Sequence, residues 1–439
     1  MDRRASRLPH KKGAPRLLLV YPNRQRLGWV RRFQLPPLSL MHVAACTPEP
    51  WEVVMVDEVQ EEAMPSGPGF DLVGITCMTE QAPRAYELAA RFRGEGVPVV
   101  LGGIHPTVLP QEAALHADCV VVGEAEPVWG RVLDDVLAGR MASAYVAPEP
   151  SGDLLQGPWA RRDILRGKRY VTTQALQASR GCPYDCPFCT VTPYFGRRFR
   201  YRAAGDVLGE LATFRERLAI FLDDNLLGDP GRAAPFLKGM GRLDLQWASQ
   251  TTLRFAQDKD LLQLVARSGC LALFAGVEAL GGAASHLTKL SGQEPQRDLV
   301  KRVQDAGILV EVSLIFGFDD QGEECFEEAL RFVEDCAPSG ATFHILTPYP
   351  GTALHAQFQA EGRMLHKDWE RYNHSDVVFR PKRMTPERLY RGWVEARQAA
   401  YAWSSIFSRV ARNSHHRFTN LAYNVLRKAP NDRLTPIMK

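Results

Sequence analysis

Long hydrophobic runs are absent from this sequence. Nowhere do about 20 consecutive residues stay apolar, as a membrane-spanning helix requires. The basic start of the chain, residues 1–15, is not followed by an apolar stretch of the kind found in signal peptides. A large excess of one charge is also missing, because the net charge is only +4 over 439 residues, so nucleic acid is not an expected partner. We expect a cytoplasmic protein.

A regular cysteine framework is missing as well. The chain has nine cysteines, an odd number, and six of them follow no spacing pattern. Disulfide scaffolds of secreted proteins use paired and patterned cysteines, so this usage favours a reducing compartment. The scattered cysteines are Cys46, Cys77, Cys119, Cys270, Cys325 and Cys336.

The other three cysteines lie together in the segment GCPYDCPFCT, residues 181–190. Cys182, Cys186 and Cys189 are separated by three and two residues, so their sulfurs share one short loop that can bind a metal centre. Thiolates are soft ligands that suit zinc, copper or an iron–sulfur cluster. Structural zinc needs a fourth ligand, and no Cys or His follows at zinc-finger spacing. The ferredoxin run, with four cysteines, also differs from this loop.

Three thiolates would leave one iron of a [4Fe–4S] cluster open, which favours catalysis over a purely structural cluster. We therefore interpret the loop as a catalytic cluster site. The residues alone leave open a zinc-bearing binding module and a trio of inert core cysteines. The two prolines and the charged Asp185 of the loop argue against the inert trio.

The chain is long enough for two or three domains, and its first 140 residues alternate short apolar runs with helical patterns. This alternation is typical of a parallel sheet covered on both faces, here a flavodoxin-like, doubly wound domain. Pro98 cannot donate to a ladder, so it belongs at the start of its strand or on an edge. The predicted strands are Leu17–Tyr21, Trp51–Val56, Leu72–Cys77, Val97–Leu101 and Cys119–Val122, and the predicted helices include Ala82–Arg93 and Pro127–Leu137.

Small and polar residues occupy the predicted C-terminal strand ends of this domain, where doubly wound folds bind ligands. Glycine lets the backbone approach a large flat ligand closely, although ordinary βα turns contain glycine in any case. The candidates for ligand contact are Asn23, Thr76, Gly102, Gly103, His105, Gly123 and Glu124.

A connector rich in Pro, Gly and charge spans residues 141–170, and a second series of strands and helices follows it. Six βα units without antiparallel pairing signals predict a partial barrel, whose chemistry belongs at the C-terminal mouth. The cysteine loop follows the first strand and therefore lies at that mouth. The predicted strands are Thr172–Ser179, Ala219–Asp223, Leu245–Gln250, Ala272–Val277, Leu309–Phe316 and Ala341–Leu346, with helices near 204–214, 231–239, 258–268, 294–306 and 322–336.

The other strand ends of this barrel supply further candidates. The segment FLDDNLLGD, residues 221–229, ends the second strand with two carboxylates and an amide, and a carboxylate there can pair with an ammonium group. Capping of the next helix is the alternative role, above all for Asp229. The candidates are Asp223, Asp224, Asn225, Gln250, Glu278, Ser313, Ile315, Gly317 and Pro348.

The cysteine spacing C-x-x-x-C-x-x-C, with Phe188 before the last cysteine, resembles the signature of the radical S-adenosylmethionine (AdoMet) enzymes. PPLSLMHVAA (36–45), LGGIHPT (101–107) and VVGEAE (121–126) resemble the cobalamin-binding domain that precedes the radical AdoMet domain in one subclass. The resemblance to cobalamin-dependent radical AdoMet enzymes covers roughly residues 15–380. One departure is that the loop YPNRQRLG lacks Asp-x-His-x-x-Gly, so the resemblance implies cobalamin without a histidine below cobalt. His42 and His105 are interpreted as structural or edge-contact residues, not cobalt ligands.

The resemblance implies roles for these candidates. The three cysteines would hold a [4Fe–4S] cluster, and the residues of the second half would contact AdoMet. Asp223, Asp224 and Asn225 would hold the methionine amine or its surroundings, Glu278 the ribose, and Ser313 a polar group. The remaining implied contacts are Ile315, Gly317 and Pro348 near adenine and Gln250 near the nucleoside or substrate.

The resemblance also implies an activity. The reduced cluster would cleave AdoMet to a 5′-deoxyadenosyl radical, and methylcobalamin would donate a methyl group to an unactivated carbon of a small-molecule or lipid-like substrate. The implied electron source is an external one-electron reductant of flavodoxin or ferredoxin type. One alternative is a non-methylating cyclisation, ring rearrangement or oxidation with the same cofactors. An iron–sulfur electron-transfer protein is an alternative from another class.

Beyond residue 353 the pattern becomes helical, and from Arg391 onward nine Lys and Arg residues face only two Asp and Glu. We expect a helical cap that closes the barrel base and buries its aromatic residues. Peripheral membrane contact through these basic helices is the alternative. The expected domains are a basic tail at 1–15, a cobalamin-binding domain at 16–140, a linker at 141–170, the barrel at 171–353 and the helical region at 354–439.

Overall fold

A computed structural model describes residues 13–23, 34–60, 63–149, 155–281, 294–413, 415–432 and 434. Two six-stranded parallel sheets dominate these residues, and helices complete the C-terminal part. The α/β fold class predicted from the sequence is thereby confirmed.

The first sheet has the strand order β2-β1-β3-β4-β5-β6, which extends the flavodoxin-like order by one strand. In β1, Leu17 and Leu19 pack with helices α1 and α5, while Leu18 and Val20 pack with α2 on the other face. The strands are β1 (Arg16–Tyr21), β2 (Glu52–Asp57), β3 (Leu72–Thr76), β4 (Val99–Gly102), β5 (Cys119–Val122) and β6 (Ala144–Val146). The helices are α1 (Leu38–Ala45), α2 (Ala82–Gly94), α3 (Ile104–Val108), α4 (Pro110–Ala113) and α5 (Glu126–Leu137).

All five strands predicted for this half are present, but β6 was missed. It lies in the segment interpreted as a connector and pairs with β5 at the edge of the sheet. Three residues are too few for an alternating pattern to be recognised. Pro98 directly precedes the interior strand β4, and its carbonyl accepts a hydrogen bond from the Val73 N–H at 3.0 Å, so its placement at a strand start was right.

The second sheet is the partial barrel, with the order β14-β13-β12-β11-β10-β7 and every pair parallel. Its strands are β7 (Ala175–Leu176), β10 (Leu218–Phe221), β11 (Gln246–Thr251), β12 (Cys270–Glu278), β13 (Leu309–Phe316) and β14 (Gly340–Ile345). The accompanying helices are α6 (Val191–Phe195), α7 (Ala204–Leu211), α8 (Pro230–Met240), α9 (Lys259–Arg267), α10 (Gln296–Asp305) and α11 (Glu324–Cys336).

The expectation of no antiparallel pairing in this half was wrong. The predicted strand Thr172–Ser179 is divided into β7 and β8 (Ser179–Arg180), and β8 pairs antiparallel with β9 (Arg200–Tyr201). Two-residue strands carry no periodic signal, because period two needs several residues to be visible. The ladder closes the base of the segment that carries the three cysteines.

Alternation along β13 separates the two faces of the barrel wall. Val310, Val312 and Leu314 belong to the core shared with the surrounding helices. Ser313 lies between them in sequence, and its side chain therefore points to the opposite, concave face. The candidate Ser313 thus faces the interior of the barrel.

The C-terminal region consists of α12 (Ala353–Ala360), α13 (Pro386–Ala400), α14 (Trp403–Arg412) and α15 (Arg417–Asp432). Trp393 and Tyr401 are buried, as the capping hypothesis expects, and the Trp393 Nε1–H donates to the Phe343 carbonyl at 2.8 Å. The hypothesis fails for Phe407 and Phe418, which are exposed. Among the described residues, every helix is too short or too polar to cross a bilayer.

Candidate cofactor and active site

The cysteine loop is fixed to the barrel through its backbone. Gly181 precedes Cys182 and has a φ of +84, a conformation that favours glycine. The Gly181 N–H donates to Asp224 Oδ2 at 3.1 Å, so the end of β10 holds the start of the loop. Further along, the Pro187 carbonyl accepts from the Leu354 N–H at 2.8 Å, which attaches the loop to α12.

The three thiols lie on adjoining turns of this loop. Cys186 is buried, and Cys182 and Cys189 are partly exposed. The Phe188 ring packs edge-on against Phe318, with centroids 5.7 Å apart. Within the part of the chain that the structure describes, no three His, Cys, Asp or Glu side chains converge on a single-ion site. In a [4Fe–4S] cluster each iron takes one cysteine sulfur, so the thiols of Cys182, Cys186 and Cys189 suit three of its four irons.

Asp223 is used inside the fold. Its carboxylate accepts hydrogen bonds from the Ala178 N–H at 3.0 Å and from the Ser179 Oγ at 2.6 Å, and it is completely buried. Burial raises its pKa to about 7, against the lowering effect of these donors. Burial likewise raises the pKa of Asp224 to about 6. Through these hydrogen bonds, Asp223 holds the strands that precede the cysteines and Asp224 holds the start of the cysteine loop.

Asn225 keeps a hydrogen-bond donor that a ligand can use, whereas the carboxylate of Asp229 caps a helix. Asn225 Oδ1 accepts from the Thr251 hydroxyl and from the Thr252 N–H, both at 3.0 Å, while its buried Nδ2 has no hydrogen-bond partner. That amide is a donor available to a ligand. Asp229 caps α8 by accepting from the Arg232 N–H at 3.2 Å, so its alternative structural role is confirmed.

The remaining barrel candidates share the C-terminal edge of the sheet. Gln250 is exposed near the end of β11, and Glu278 ends β12 with a φ of +64 where the pairing register shifts. Gly317 follows β13 with a φ of +110, and its N–H donates to Gln321 Oε1 at 2.7 Å. Ser313, Ile315 and Pro348 are buried close to the same edge, and contact of the whole set with AdoMet stays a prediction.

A cavity of about 590 Å³ is lined by residues of both halves of the chain. One wall consists of the C-terminal strand ends of the first sheet together with α1. The other wall comes from the second half, at or beside the cysteine loop. The residues of that second wall are Gln177, Arg180, Tyr194, Phe195 and Leu222.

Five of the seven ligand-contact candidates of the first half line this cavity, namely Thr76, Gly102, Gly103, Gly123 and Glu124. The other two lie outside its lining. The Asn23 N–H donates to Glu58 Oε2 at 3.0 Å, and His105 is buried with its Nε2 3.1 Å from the Tyr86 hydroxyl. A Cβ on Gly102 would meet its nearest neighbour only at 3.9 Å, so the cavity edge has room for a flat ligand that approaches the backbone.

An ionic cluster joins the two walls, and the sequence interpretation missed it. Arg180 pairs with Glu124 and donates to Glu126 Oε1 at 2.5 Å. Arg200 also pairs with Glu124, and all four side chains are at most 20 % exposed. Arg180 and Arg200 face each other in the β8–β9 ladder. The cluster therefore fastens the base of the cysteine loop to the first sheet.

His42, on α1, also lines the cavity, in agreement with its interpretation as a structural or edge-contact residue. Its buried Nε2 has no hydrogen-bond partner. Burial, and secondly the charge of Arg180, lowers its pKa to about 4, so the imidazole is neutral at physiological pH. A buried ring nitrogen without a partner fits a cavity that receives a polar cofactor.

Comparison with known proteins agrees with this geometry. Residues 27–132 match the model of the B12 binding domain, and residues 352–434 match a domain of unknown function, DUF4070. The bacteriochlorophyllide d C-12(1)-methyltransferase of Chlorobaculum tepidum is 31 % identical over 91 % of this chain and 90 % of its own. The anaerobic magnesium-protoporphyrin IX monomethyl ester cyclase of Rubrivivax gelatinosus is 25 % identical over 84 % and 74 %.

A solved structure supports the fold. The radical S-adenosylmethionine methyltransferase TsrM from Kitasatospora setae, with cobalamin and a [4Fe–4S] cluster bound, superimposes with a TM-score of 0.64 at 17 % identity, covering 87 % of this chain and 88 % of that one. A B12-binding sheet joined to a partial barrel with a three-cysteine loop defines a radical AdoMet enzyme. The chain belongs to the cobalamin-dependent radical AdoMet family. Its cofactors are cobalamin, AdoMet and a [4Fe–4S] cluster.

Proposed function

We propose that this enzyme transfers a methyl group to an unactivated carbon of its substrate. The observation that carries the proposal is the shared cavity, whose walls come from the strand ends of the B12-binding sheet and from the cysteine-loop side of the barrel. Bound together, the cofactors supply radical hydrogen abstraction and methyl donation. The protein contributes the positions of the two cofactor sites and the exclusion of water between them.

In this proposal Cys182, Cys186 and Cys189 hold the cluster. Asp224 keeps the loop in place through the Gly181 N–H, and Asp223 keeps the preceding strands in place. Neither carboxylate needs to touch the cluster to have this effect. The free Nδ2 of Asn225 donates to a polar group of AdoMet.

The first sheet holds cobalamin along its C-terminal edge in this proposal. Thr76, Gly102, Gly103 and Gly123 contact it, with the backbone of the glycines close to the ligand. Gln250, Glu278, Ser313, Ile315, Gly317 and Pro348 contact AdoMet or the substrate at the barrel edge.

We propose a small-molecule or lipid-like substrate with an extended apolar ring system. The name of the Chlorobaculum relative refers to bacteriochlorophyllide, a large ring compound. The half-buried Phe274 supports this choice, because it leaves apolar surface exposed on the barrel wall next to β13.

Product analysis tests the methyl transfer. Anaerobically reconstituted enzyme with a reductant and AdoMet is expected to yield 5′-deoxyadenosine and S-adenosylhomocysteine together. The first product reports radical formation, and the second reports restoration of the methyl donor. If neither product forms with a fully loaded enzyme, the proposal is wrong.

A second candidate is a non-methylating cyclisation, ring rearrangement or oxidation with the same cofactors. The relative from Rubrivivax gelatinosus, named as a cyclase, favours it. This candidate predicts deoxyadenosine without S-adenosylhomocysteine in the same assay.

Two partners complete the proposal, for an enzyme of the cytoplasm. An external one-electron reductant of flavodoxin or ferredoxin type reaches the cluster from the exposed side of the loop, where Asp185 and Arg197 form an exposed ion pair. The basic C-terminal helices make peripheral contact with a membrane.

A further inference from the structure

Helix α15 carries polar side chains inward and large apolar side chains outward. Its inward stripe contains Asn420, Asn424 and Arg427, each at most 5 % exposed. Phe418 and Val425 of the same helix are 85 % and 41 % exposed. A helix that packs on a core beside water normally has the reverse arrangement.

Specific hydrogen bonds fix this orientation. Arg427 Nη1 donates to Glu311 Oε1 and its Nη2 donates to the Thr342 hydroxyl, both at 2.8 Å. Asn424 Nδ2 donates to the Ser339 carbonyl at 2.7 Å. Buried amides and guanidinium groups favour such partners, so these bonds hold the polar stripe of the helix inward. The apolar side of α15 therefore faces outward.

The neighbouring helix α14 extends the same surface. Trp403 and Phe407 are 47 % and 55 % exposed, and their rings stack at 5.5 Å. Five of the twelve exposed large apolar side chains of the described chain lie within residues 403–426, so they form a patch and are not scattered. We call this patch the apolar face: Trp403, Phe407, Phe418, Val425 and Leu426.

The charge around the apolar face is positive. Residues 396–431 contain no Asp or Glu, while Arg412 and Arg417 are exposed at its rim. Acidic residues approach the apolar face at the end near Arg412, which donates to the backbone carbonyls of Glu334 and Asp335. An occupant with an apolar interior and anionic groups complements this face. A second copy of the same face would oppose cations with cations.

The apolar face is also remote from the cysteine loop. Helix α15 bonds to Ser339 and Glu311, at the N-terminal ends of β14 and β13, whereas the loop follows the C-terminal end of β7. At the rise of parallel strands, these ends are about 20 Å apart. An electron donor seated on the apolar face would thus be separated from the cluster by the length of the barrel.

We propose that the apolar face of α14 and α15 binds the surface of an anionic phospholipid bilayer. Trp403, Phe407 and Phe418 enter the headgroup region, and the exposed Arg417 contacts lipid phosphates. The inference rests on the membrane contact included in the proposed function, and it specifies the face and the lipid charge.

Vesicle co-sedimentation of the purified full chain tests the proposal, with phosphatidylcholine vesicles and with vesicles that also contain phosphatidylglycerol. The chain is expected to bind the anionic vesicles much more strongly. The double variant Phe407→Ser/Phe418→Ser is expected to bind them roughly ten-fold more weakly or worse, because two aromatic side chains no longer leave water. The matched control is Leu115→Ser/Leu137→Ser, at two exposed leucines elsewhere, which should bind like the wild type.

Three results would overturn the proposal: no binding of the wild type to anionic vesicles, equal binding of both double variants, or a dimer in solution that only the phenylalanine variant dissociates. The dimer would identify the face as a contact between copies. Deoxyadenosine formation is measured on the same preparations. Loss of vesicle binding with intact turnover therefore leaves the methyl-transfer proposal standing.

Discussion

Gly181 and Gly196 have the same positive φ in different surroundings. Both have a φ of +84 in the segment that follows β8. A Cβ on Gly181 would lie 2.3 Å from the Arg198 carbonyl oxygen, whereas nothing lies within 4 Å of one on Gly196. Gly181 is therefore excluded from substitution both by its φ and by close backbone contact, directly before the first cluster cysteine.

Replacing Gly181 with alanine is expected to lower the free energy of unfolding by about 3 kcal/mol or more and to reduce the iron bound per chain, because the backbone must move. Gly196→Ala, the matched control, should cost only the conformational term, about 2 kcal/mol for its φ of 84 and ψ of 178, and should keep its iron. Denaturant unfolding and iron analysis measure both effects. Equal losses in the two variants would contradict this account.

The candidates at strand ends illustrate what residue patterns reveal. The run from Asp223 to Asn225 was recognised as polar because it follows a short apolar strand. The donors that occupy Asp223 come from Ala178 and Ser179, more than 40 positions earlier in the chain. Side-chain partners of this kind depend on which strands become neighbours, and the residues alone did not specify them.

At the scale of elements, the β8–β9 ladder connects the cysteine loop with the first sheet. Longer elements were predictable: β5 and β13 have the bounds expected from their apolar runs. The two-residue strands were not, because their pairing depends on burial of Arg180 and Arg200 against Glu124. Arg180 directly precedes the cysteine segment, and this adjacency was the one feature of the sequence that could have indicated a role for Arg180 beside the loop.

Removing one carboxylate from this ionic cluster should be costly. Glu124→Gln is expected to lower the free energy of unfolding by about 3 kcal/mol, because a buried guanidinium loses its counter-charge. Asp185→Asn, which breaks the exposed pair with Arg197 on the same loop, should cost less than about 1 kcal/mol. Urea unfolding of both variants provides the comparison, and a Glu124→Gln cost as small as that of the control would show that the cluster is energetically neutral.

At the scale of the whole molecule, two successive α/β units face each other across one cavity. Their order and type were predictable from alternating apolar runs, since each unit has its own core. Contacts between distant parts of the chain were not predictable, because they involve side chains such as Trp369 of the C-terminal region, whose Nε1–H donates to Glu112 Oε1 at 2.9 Å. A position 257 residues distant has no local signature.

The second wall of the cavity should contribute to cobalamin affinity. Phe195→Ala is expected to weaken cobalamin binding roughly ten-fold, because it removes apolar contact area. Iron content should stay at the wild-type level. Phe199→Ala is the matched control, since Phe199 is a half-buried phenylalanine of the same loop outside the cavity lining. Titration followed by cobalamin absorbance decides the matter, and identical affinities would exclude a role for this wall.

The ionic cluster has a consequence for electron uptake. Arg180 and Arg200 lie at the base of the cysteine loop, and their two positive charges are balanced by Glu124 and Glu126 of the other unit. The reduction potential of an iron–sulfur centre rises when nearby positive charge is uncompensated. Separation of the two units would therefore move that potential upward, so the driving force for reductive chemistry depends on how the halves of the chain are docked.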